Sequence, residues 1–239
     1  GAARAGLMSA LMAKHGFTSS PRSLEAPRGW AQVLSTKYDW REAQDELGQR
    51  FEISFNAYKP FACGIVIHPS IDACAQLRAQ GVKAEEVKSI ELRVHPLVLE
   101  LTGKKTPQDG LQGKFSVYHG CAVGLIFGRA GEEEFSDHIV RREDVVSLRD
   151  KVQAVVDTSV REESVYVTAH LNDGRSVKVH VEHAIGSLQK PMTDADLESK
   201  FRDLSDPILG AARVNDILKT CWSLGKAPNL QSLLALLKP

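Results

Sequence analysis

The feature that most constrains the fold is a strand–turn–strand pattern near residue 170. Apolar and polar residues alternate over 164–171 and again over 175–181, and Asn172, Asp173 and Gly174 lie between the two runs. Because this tripeptide favours the backbone angles of a tight hairpin turn, the pattern predicts two adjacent antiparallel strands. The chain is therefore not expected to be all helical.

Further elements are predicted on both sides of this hairpin. Alternating residues predict strands at 51–55, 88–94 and 154–156. Helical spacing of apolar residues predicts helices at 2–15, 30–34, 40–47, 106–129, 139–148 and 193–204, with the remainder helical to 237 apart from a break at 227–228. Helical segments thus flank a mixed region, which favours an α+β fold with an α/β insertion at about 50–190.

Two helix predictions have more specific content. Ser70 is a suitable N-cap for a helix that extends to about Ala79. Within 106–129, Gly120, Gly124 and Gly128 recur every four residues. A row of glycines weakens a helix by roughly 1 kcal/mol per residue, so we expect this row to allow the close approach of another backbone.

Composition and charge exclude several classes of protein. The 239 residues are 43% hydrophobic, and the 30 basic residues equal the 30 acidic residues in number. This balance does not favour a nucleic-acid or membrane-surface partner, and no apolar run is long enough for a transmembrane helix. The four cysteines lack the spacing of a zinc site, so we expect reduced thiols in a cytoplasmic protein and no bound metal.

The stretch 58–73 (YKPFACGIVIHPSIDA) concentrates ionisable groups within apolar surroundings. Lys59 lies on a loop stiffened by Pro60, and an isolated lysine of this kind is more often a solvated surface group. Here Phe61 and Cys63 would partly desolvate the ammonium group, which favours a role in proton transfer. His68 alone is more often a hydrogen-bonded structural histidine.

Four blocks of sequence resemble the C-terminal half of the MmgE/PrpD family. This family includes 2-methylcitrate dehydratases, cis-aconitate decarboxylases and iminodisuccinate epimerases. The blocks, in matching order and spacing, are 10–18 (ALMAKHGFT), 59–64 with 68–73 (KPFACG, HPSIDA), 112–119 (QGKFSVYH) and 191–193 with 198–201 (PMT, ESKF). The resemblance extends over essentially the whole chain.

The resemblance implies an architecture of two parts. Residues 1–48 and 191–239 would belong to an all-helical domain that is incomplete in this sequence, and 49–190 would form an α/β lid domain. The active site would then lie in the cleft between the two domains, where ligand pockets are common. Gly1 is not an initiator Met and helical spacing begins at once, so we expect the sequence to be a piece of a longer chain.

The resemblance also assigns candidate site residues. Lys59 matches the family's active-site lysine, which would bind a substrate carboxylate or assist proton transfer. His119 falls where the decarboxylases carry an active-site tyrosine, and a histidine there would donate a hydrogen bond or shuttle a proton. The competing interpretation of His119 is a core histidine on an apolar helix face. Lys114, Ser116 and His68 are predicted to contact substrate, although Lys114 is equally explained as a solvated charge and His68 as structural support.

The implied function is that of a cofactor-independent lyase of the dehydratase type. It would act on a small di- or tricarboxylate such as 2-methylcitrate by proton transfer next to a carboxylate. Two alternatives are an epimerase or isomerase and a decarboxylase of the same family. Ala62 replaces a proline common in the lysine loop, and Gly64 stands where the decarboxylases place a histidine, which weakens the decarboxylase alternative.

A third alternative belongs to a different class. The chain would be a catalytically silent module that serves dimerisation or regulation, since the family's other catalytic motifs lie outside the matched half. Alanine- and glycine-rich helix faces also favour a homodimer. Carboxylate-dependent stabilisation of the protein would distinguish an enzyme from a silent module.

Overall fold

The computed structural model describes residues 1–238, which divide into two compact units. The first unit is Gly1–Phe55 and the second begins at Asn56. The proposed domain limits after residues 48 and 190 remain predictions. The combination of many helices with one small mixed sheet confirms the α+β class.

The first unit contains short helices joined by turns. Its helices are α1 (Ala2–Lys14), α2 (Trp30–Leu34) and α3 (Trp40–Gln44). The first two confirm the predictions, and Gly16 follows α1 with the positive φ expected after a helix end. The third ends earlier than predicted. Asp39 caps it by accepting a hydrogen bond from Arg41 N.

The strand predicted at 51–55 is wrong. Glu52–Phe55 forms a 3-10 turn, and the side chains of Phe51, Ile53 and Phe55 are exposed. The Arg50 guanidinium lies 5.0 Å from the centre of the Phe55 ring. A strand needs a neighbour to pair its backbone groups, and alternation in the sequence does not supply one.

The second unit contains the sheet and most of the buried core. Its strands are β1 (Val87–Val94), β2 (Val152–Val156), β3 (Val165–Leu171) and β4 (Ser176–Val181). Its helices are α4 (His68–Ala79), α5 (Pro96–Thr102), α6 (Gly110–Gly113), α7 (Val117–Phe127), α8 (Asp137–Val140), α9 (Glu143–Arg149), α10 (Asp194–Leu209), α11 (Ala211–Trp222) and α12 (Gln231–Leu236).

The four strands form one mixed sheet in the order β2-β1-β3-β4. β1 pairs with β2 in parallel and with β3 in antiparallel orientation, and β3 and β4 form the predicted hairpin. Gly174 has φ +88 in the turn, which glycine adopts without strain. One sheet face packs against α4, and α7 packs against α4 and β2. The strands predicted near 88–94 and 154–156 are thus confirmed.

The glycine row brings α7 close to α4, as predicted. A Cβ added at Gly120 would lie 3.1 Å from Ile71 Cγ1, and one added at Gly124 would lie 2.9 Å from Ile71 O. Gly128 ends α7 with φ +72. The close contact buries α4 and α7 against each other, so α4 has a fixed position in the second unit.

The prediction of one helix over 106–129 is wrong, because the run contains two helix starts. Asp109 Oδ1 accepts a hydrogen bond from Gln112 N and caps the short helix α6. Ser116 Oγ accepts one from His119 N and caps α7. Asp109 and Ser116 have the extended backbone of N-cap residues, so neither lies inside a continuous helix.

Two smaller predictions also need correction. Ser70 is not an N-cap, since α4 begins at His68 and Pro69 occupies its first turn. The helix predicted at 139–148 is divided into α8 and α9.

The chain after the sheet is helical, as predicted. Thr193 and Asp196 form a reciprocal capping box that starts α10, the longest helix of the described residues. α11 packs against both α10 and α12. None of the helices in residues 1–238 has the length and apolar character needed to cross a membrane.

Candidate active site

The Lys59 loop is held by backbone hydrogen bonds to three separate parts of the second unit. Each bond joins an amide of the loop to a carbonyl far away in sequence. The bonds are Tyr58 N to Gly186 O (3.2 Å), Ala62 N to Ala130 O (3.0 Å) and Gly64 N to Lys114 O (3.1 Å). Loops normally make few such bonds to the rest of a protein, so this loop has an unusually defined position.

Gly186 makes the tightest of these contacts. It has φ +88, and an added Cβ would lie 2.2 Å from Tyr58 O and 2.7 Å from Pro60 Cδ. Both the conformation and the lack of space require glycine. The backbone at Gly186 therefore supports the residues on either side of Lys59.

Two lysines meet at this loop. The exposed Lys59 donates from Nζ to Cys63 O over 3.2 Å. Lys200 of α10 donates from Nζ to Lys59 O over 2.5 Å. Both acceptors are neutral carbonyl oxygens, so neither bond offsets the positive charge of the ammonium group.

A cavity of about 850 Å³ opens beside the loop. Its walls come from the Lys59 loop, α6, the 128–132 turn and α10. The basic side chains that line it are those of Lys59, Lys114, Arg129 and Lys200, and the acidic ones are those of Asp72, Glu132, Asp196 and Asp203. Ligand pockets commonly fall in this range of size.

Most of the carboxylates in the wall already have partners. Lys114 Nζ lies 2.6 Å from Glu132 Oε2, and Lys190 Nζ lies 3.1 Å from Asp72 Oδ2. Asp196 accepts hydrogen bonds from Thr193.

Arg129 is also neutralised, because its Nε lies 2.8 Å from Oε1 of the buried Glu134. Among the described residues, Lys59 and Lys200 have no carboxylate within 4.0 Å, and Asp203 has no basic partner. The cavity thus combines two available cations with one available carboxylate.

His119 lies in the interior rather than in the cavity wall. Its side chain is 0% exposed, and Nε2 lies 2.9 Å from Glu134 O. Because a carbonyl oxygen only accepts, Nε2 carries the proton and Nδ1 is the basic nitrogen. Nδ1 has no hydrogen-bond partner within residues 1–238. Burial lowers the pKa of His119 to about 4, so the ring is neutral near pH 7.

His119 nevertheless touches the turn that carries part of the cavity wall. Its ring packs against Phe135 with centroids 5.4 Å apart. The Glu134 side chain holds Arg129 Nε and Gly131 N, each at 2.8 Å. His119 is bonded to the Glu134 carbonyl, and the Glu134 side chain holds Arg129. His119 therefore supports the part of the cavity wall that Arg129 forms.

His68 and Cys63 lie directly behind the loop. The His68 ring is 3% exposed and meets the Phe61 ring edge-on, with centroids 5.3 Å apart. Burial, and then the nearby charge of Lys59, lowers the pKa of His68 to about 4. Burial raises the pKa of the Cys63 thiol to about 12, so it stays protonated. Neither group is poised to exchange protons near neutral pH.

Of the residues singled out in the sequence, the structure brings Lys59 and Lys114 to one cavity. The side chain of Ser116 is buried and caps α7, and His68 and His119 are buried behind the walls. Lys200 and Asp203 also line the cavity and were not among the residues predicted from the sequence. Lys200 lies inside the block 198–201 that resembles the family, and Asp203 follows it on the same helix face at a spacing of three, which was the available signal.

Within residues 1–238, three or more His, Cys, Asp or Glu side chains nowhere gather in an arrangement that could hold a metal ion. The ammonium groups of Lys59 and Lys200 at the cavity suit the binding of an anionic organic molecule.

The chain is similar to known proteins over most of its length. The model of the MmgE/PrpD C-terminal domain matches residues 61–224. The chain is 23% identical over 99% of its length to a cis-aconitate decarboxylase-like protein, oryM, of Aspergillus oryzae, and covers 53% of that protein. It is 25% identical over 76% of its length to the 2-methylcitrate dehydratase of Escherichia coli, covering 41% of that protein.

A cis-aconitate decarboxylase of Aspergillus terreus is similar to the same degree. It is 24% identical over 99% of the chain, which covers 53% of that protein. The chain thus spans about half the length of the curated relatives it matches. The relatives differ in the reaction that their names describe, so they agree on the family and not on one reaction.

Proposed function

Because the chain belongs to the MmgE/PrpD family, we propose that the protein is a cofactor-independent lyase of the dehydratase type. Its substrate would be a small di- or tricarboxylate such as 2-methylcitrate. The observation that carries this proposal is the cavity beside the Lys59 loop, in which Lys59 and Lys200 remain available to an anion. Relatives named for dehydration and decarboxylation of carboxylic acids support the same class of substrate.

The proposed chemistry requires positive charge at the substrate's carboxylate. When a base removes a proton from the carbon next to a carboxylate, negative charge builds up on the carboxylate oxygens. An ammonium group held at that position stabilises this charge. In a dehydration, the hydroxyl group on the neighbouring carbon then leaves, and this group takes up a proton. A carbon–carbon double bond and one water molecule form. Lys59 would bind the carboxylate or assist the proton transfer.

The other proposed residues differ in how directly they would act. Lys114 lines the cavity, but Glu132 already offsets its charge, so its contribution would be smaller than that of Lys59. The buried positions of His68, Ser116 and His119 favour support of the cavity walls over contact with substrate. Proton transfer by His119 is the competing proposal. Asp203 is an exposed carboxylate that lines the cavity and, among the described residues, has no basic partner.

Turnover by a lysine variant tests the proposal. The protein expressed from its complete natural coding sequence is incubated with 2-methylcitrate, citrate and cis-aconitate, and products are identified by NMR. Lys59→Met is expected to lower kcat/KM at least about 100-fold, the usual size of losing one charge-stabilising group. Lys88→Met is the matched control, because Lys88 is exposed on β1 and does not line the cavity.

The outcomes separate the alternatives. An alkene formed with loss of water supports the dehydratase, whereas loss of carbon dioxide or inversion at carbon would support the decarboxylase or the epimerase. Full activity of Lys59→Met would reject the proposed site. A protein that neither converts nor binds any of these acids would be the silent module.

We also propose that the complete protein is a cytoplasmic homodimer. Exposed apolar side chains on α1, among them Leu7, Met8, Leu11 and Met12, support the assembly, since such a stripe is usually covered. Sedimentation velocity would give the mass of a dimer at micromolar concentration, and a monomer at all concentrations would reject it.

A further inference from the structure

The carboxylate of Asp72 is buried and fully engaged. It is 7% exposed, lies in α4 and lines the same cavity as Lys59. Oδ1 accepts a hydrogen bond from Gln76 Nε2 at 3.0 Å. Oδ2 accepts two, from Ile185 N and from Lys190 Nζ, both at 3.1 Å. A buried carboxylate with this set of donors is held in place and is not free to react with a substrate.

The two donors to Oδ2 come from opposite ends of one turn. Residues 184–190 close on themselves through Gly186 N to Lys190 O at 2.8 Å and Ser187 N to Ala184 O at 3.2 Å. Lys190 N also donates to Ser187 Oγ at 3.1 Å. A single oxygen of Asp72 therefore fixes both ends of this turn to α4.

Gly186, in the middle of the same turn, supports the Lys59 loop. Gly186 O accepts from Tyr58 N, and the Gly186 Cα approaches so closely that an added Cβ would lie 2.2 Å from Tyr58 O. Lys59 follows Tyr58 directly. The contacts thus run without interruption from Asp72 through the turn to the backbone that carries Lys59.

We infer that Asp72 is a positioning residue, which sets the place of the Lys59 ammonium group through the 184–190 turn. The expected effect of Asp72 on turnover rests on the proposed function of Lys59. The physical reason is that stabilisation of a developing charge depends steeply on distance, so a displacement of about 1 Å at Lys59 is costly for the reaction. Asp72 lines the cavity, but protein donors occupy both of its carboxylate oxygens, so its inferred role is positioning and not contact with substrate.

Amide hydrogen exchange, resolved to single residues by NMR, tests the inference without any substrate. Asp72→Ala is expected to accelerate exchange of the Tyr58 amide at least about tenfold, because the turn that holds it loses both tethers. The Ala62 and Gly64 amides belong to the same loop but donate to Ala130 and Lys114. Their exchange is expected to change less than about twofold.

Two further variants distinguish the bonds of Asp72 to the turn from its bond to Gln76. Gln76→Ala removes the bond to Oδ1 and leaves both bonds to the turn, so exchange at Tyr58 should stay as in the unchanged protein. Lys190→Met removes one tether and keeps Asp72 in place, so exchange at Tyr58 should accelerate by less than in Asp72→Ala. Equal acceleration at Tyr58, Ala62 and Gly64 would mean that Asp72 contributes general stability only, and would overturn the inference. No acceleration at Tyr58 would overturn it as well.

Activity of the complete protein then separates this inference from the proposed function. Asp72→Ala is expected to lower kcat at least about tenfold, while Gln76→Ala leaves it unchanged. If exchange at Tyr58 accelerates selectively but turnover is unaffected, the coupling of Asp72 to the loop stands and the catalytic assignment of Lys59 fails.

Discussion

Lys59 and His119, the two residues predicted to be catalytic, lie in opposite environments. Lys59 is exposed on a loop held mainly by its backbone, and its ammonium group faces a cavity. His119 is 0% exposed on a helix, and one ring nitrogen is committed to Glu134 O. The difference teaches that matching a family's motif places a residue near a site, whereas the capping and packing of its helix decide whether the side chain reaches it.

The difference follows from local chemistry. Ser116 caps α7 by accepting from His119 N, and the His119 ring packs against Phe135 and lies next to Gly113 of α6. Three amides of the Lys59 loop are bonded to carbonyls elsewhere in the second unit, and these bonds hold the loop where the Lys59 side chain is exposed. One residue is therefore suited to support and the other to binding.

Among single substitutions, the largest effect on stability is expected from removing the buried His119 ring. His119→Ala should lower the free energy of unfolding by about 3 kcal/mol, because it leaves a cavity and an unpaired carbonyl in the core. His138→Ala, an exposed histidine, is the control and should change it by less than about 0.5 kcal/mol. Chemical denaturation measures both. A small loss for His119→Ala would show that the ring is not part of the core.

Acid should destabilise the protein through the two buried histidines. Folding lowers the pKa of His68 and of His119 from 6.5 to about 4, so the unfolded chain binds more protons between these values. Stability is then lost as the pH falls from about 6.5 to about 4, by roughly 2 to 3 kcal/mol for each ring. Urea unfolding at several pH values measures this slope. A stability that is flat over this window would contradict the buried, neutral state.

His119→Gln sharpens the comparison further, since glutamine can still donate to Glu134 O. Stability should fall by about 1 to 2 kcal/mol, less than in His119→Ala. Turnover by the complete protein should stay within about threefold, since the ring does not line the cavity. A loss of 100-fold in kcat with a folded protein would instead establish His119 as the proton shuttle.

Lys114→Met is expected to have the smallest effect. Its partner Glu132 is exposed, so the pair should contribute less than about 1 kcal/mol to stability. Loss of a charge that Glu132 already offsets should raise KM by less than about threefold, against a much larger effect for Lys59→Met. An equal effect of the two substitutions would remove the distinction between paired and available lysines in the cavity.

Much of the fold was predictable where one local signal determined the structure. Asn172 to Gly174 determine the hairpin, and Thr193 with Asp196 determine the start of α10. Phe51 to Phe55 carry an equally regular alternation and form no strand, because pairing depends on a neighbour that a local pattern does not specify.

The site was predictable in part. Lys59 was predicted as a site residue because its loop concentrates special residues, and the family resemblance pointed to the same position; it lines the cavity, and its role stays a prediction. Lys200 was missed as a lining residue because it resembles any charged residue of a helix surface until α10 is placed against the Lys59 carbonyl. Its role depends on a contact between residues 141 positions apart, which no local pattern contains.

Calorimetric titration with propane-1,2,3-tricarboxylate tests the central claim most directly. This acid lacks the hydroxyl group that dehydration needs, so binding is measured without turnover. The complete protein and its Lys88→Met variant should bind it with the same Kd, and Lys59→Met should raise the Kd at least about tenfold, as expected when one charge-assisted contact is lost. Equal binding by Lys59→Met would contradict the assignment of this cavity as the carboxylate site.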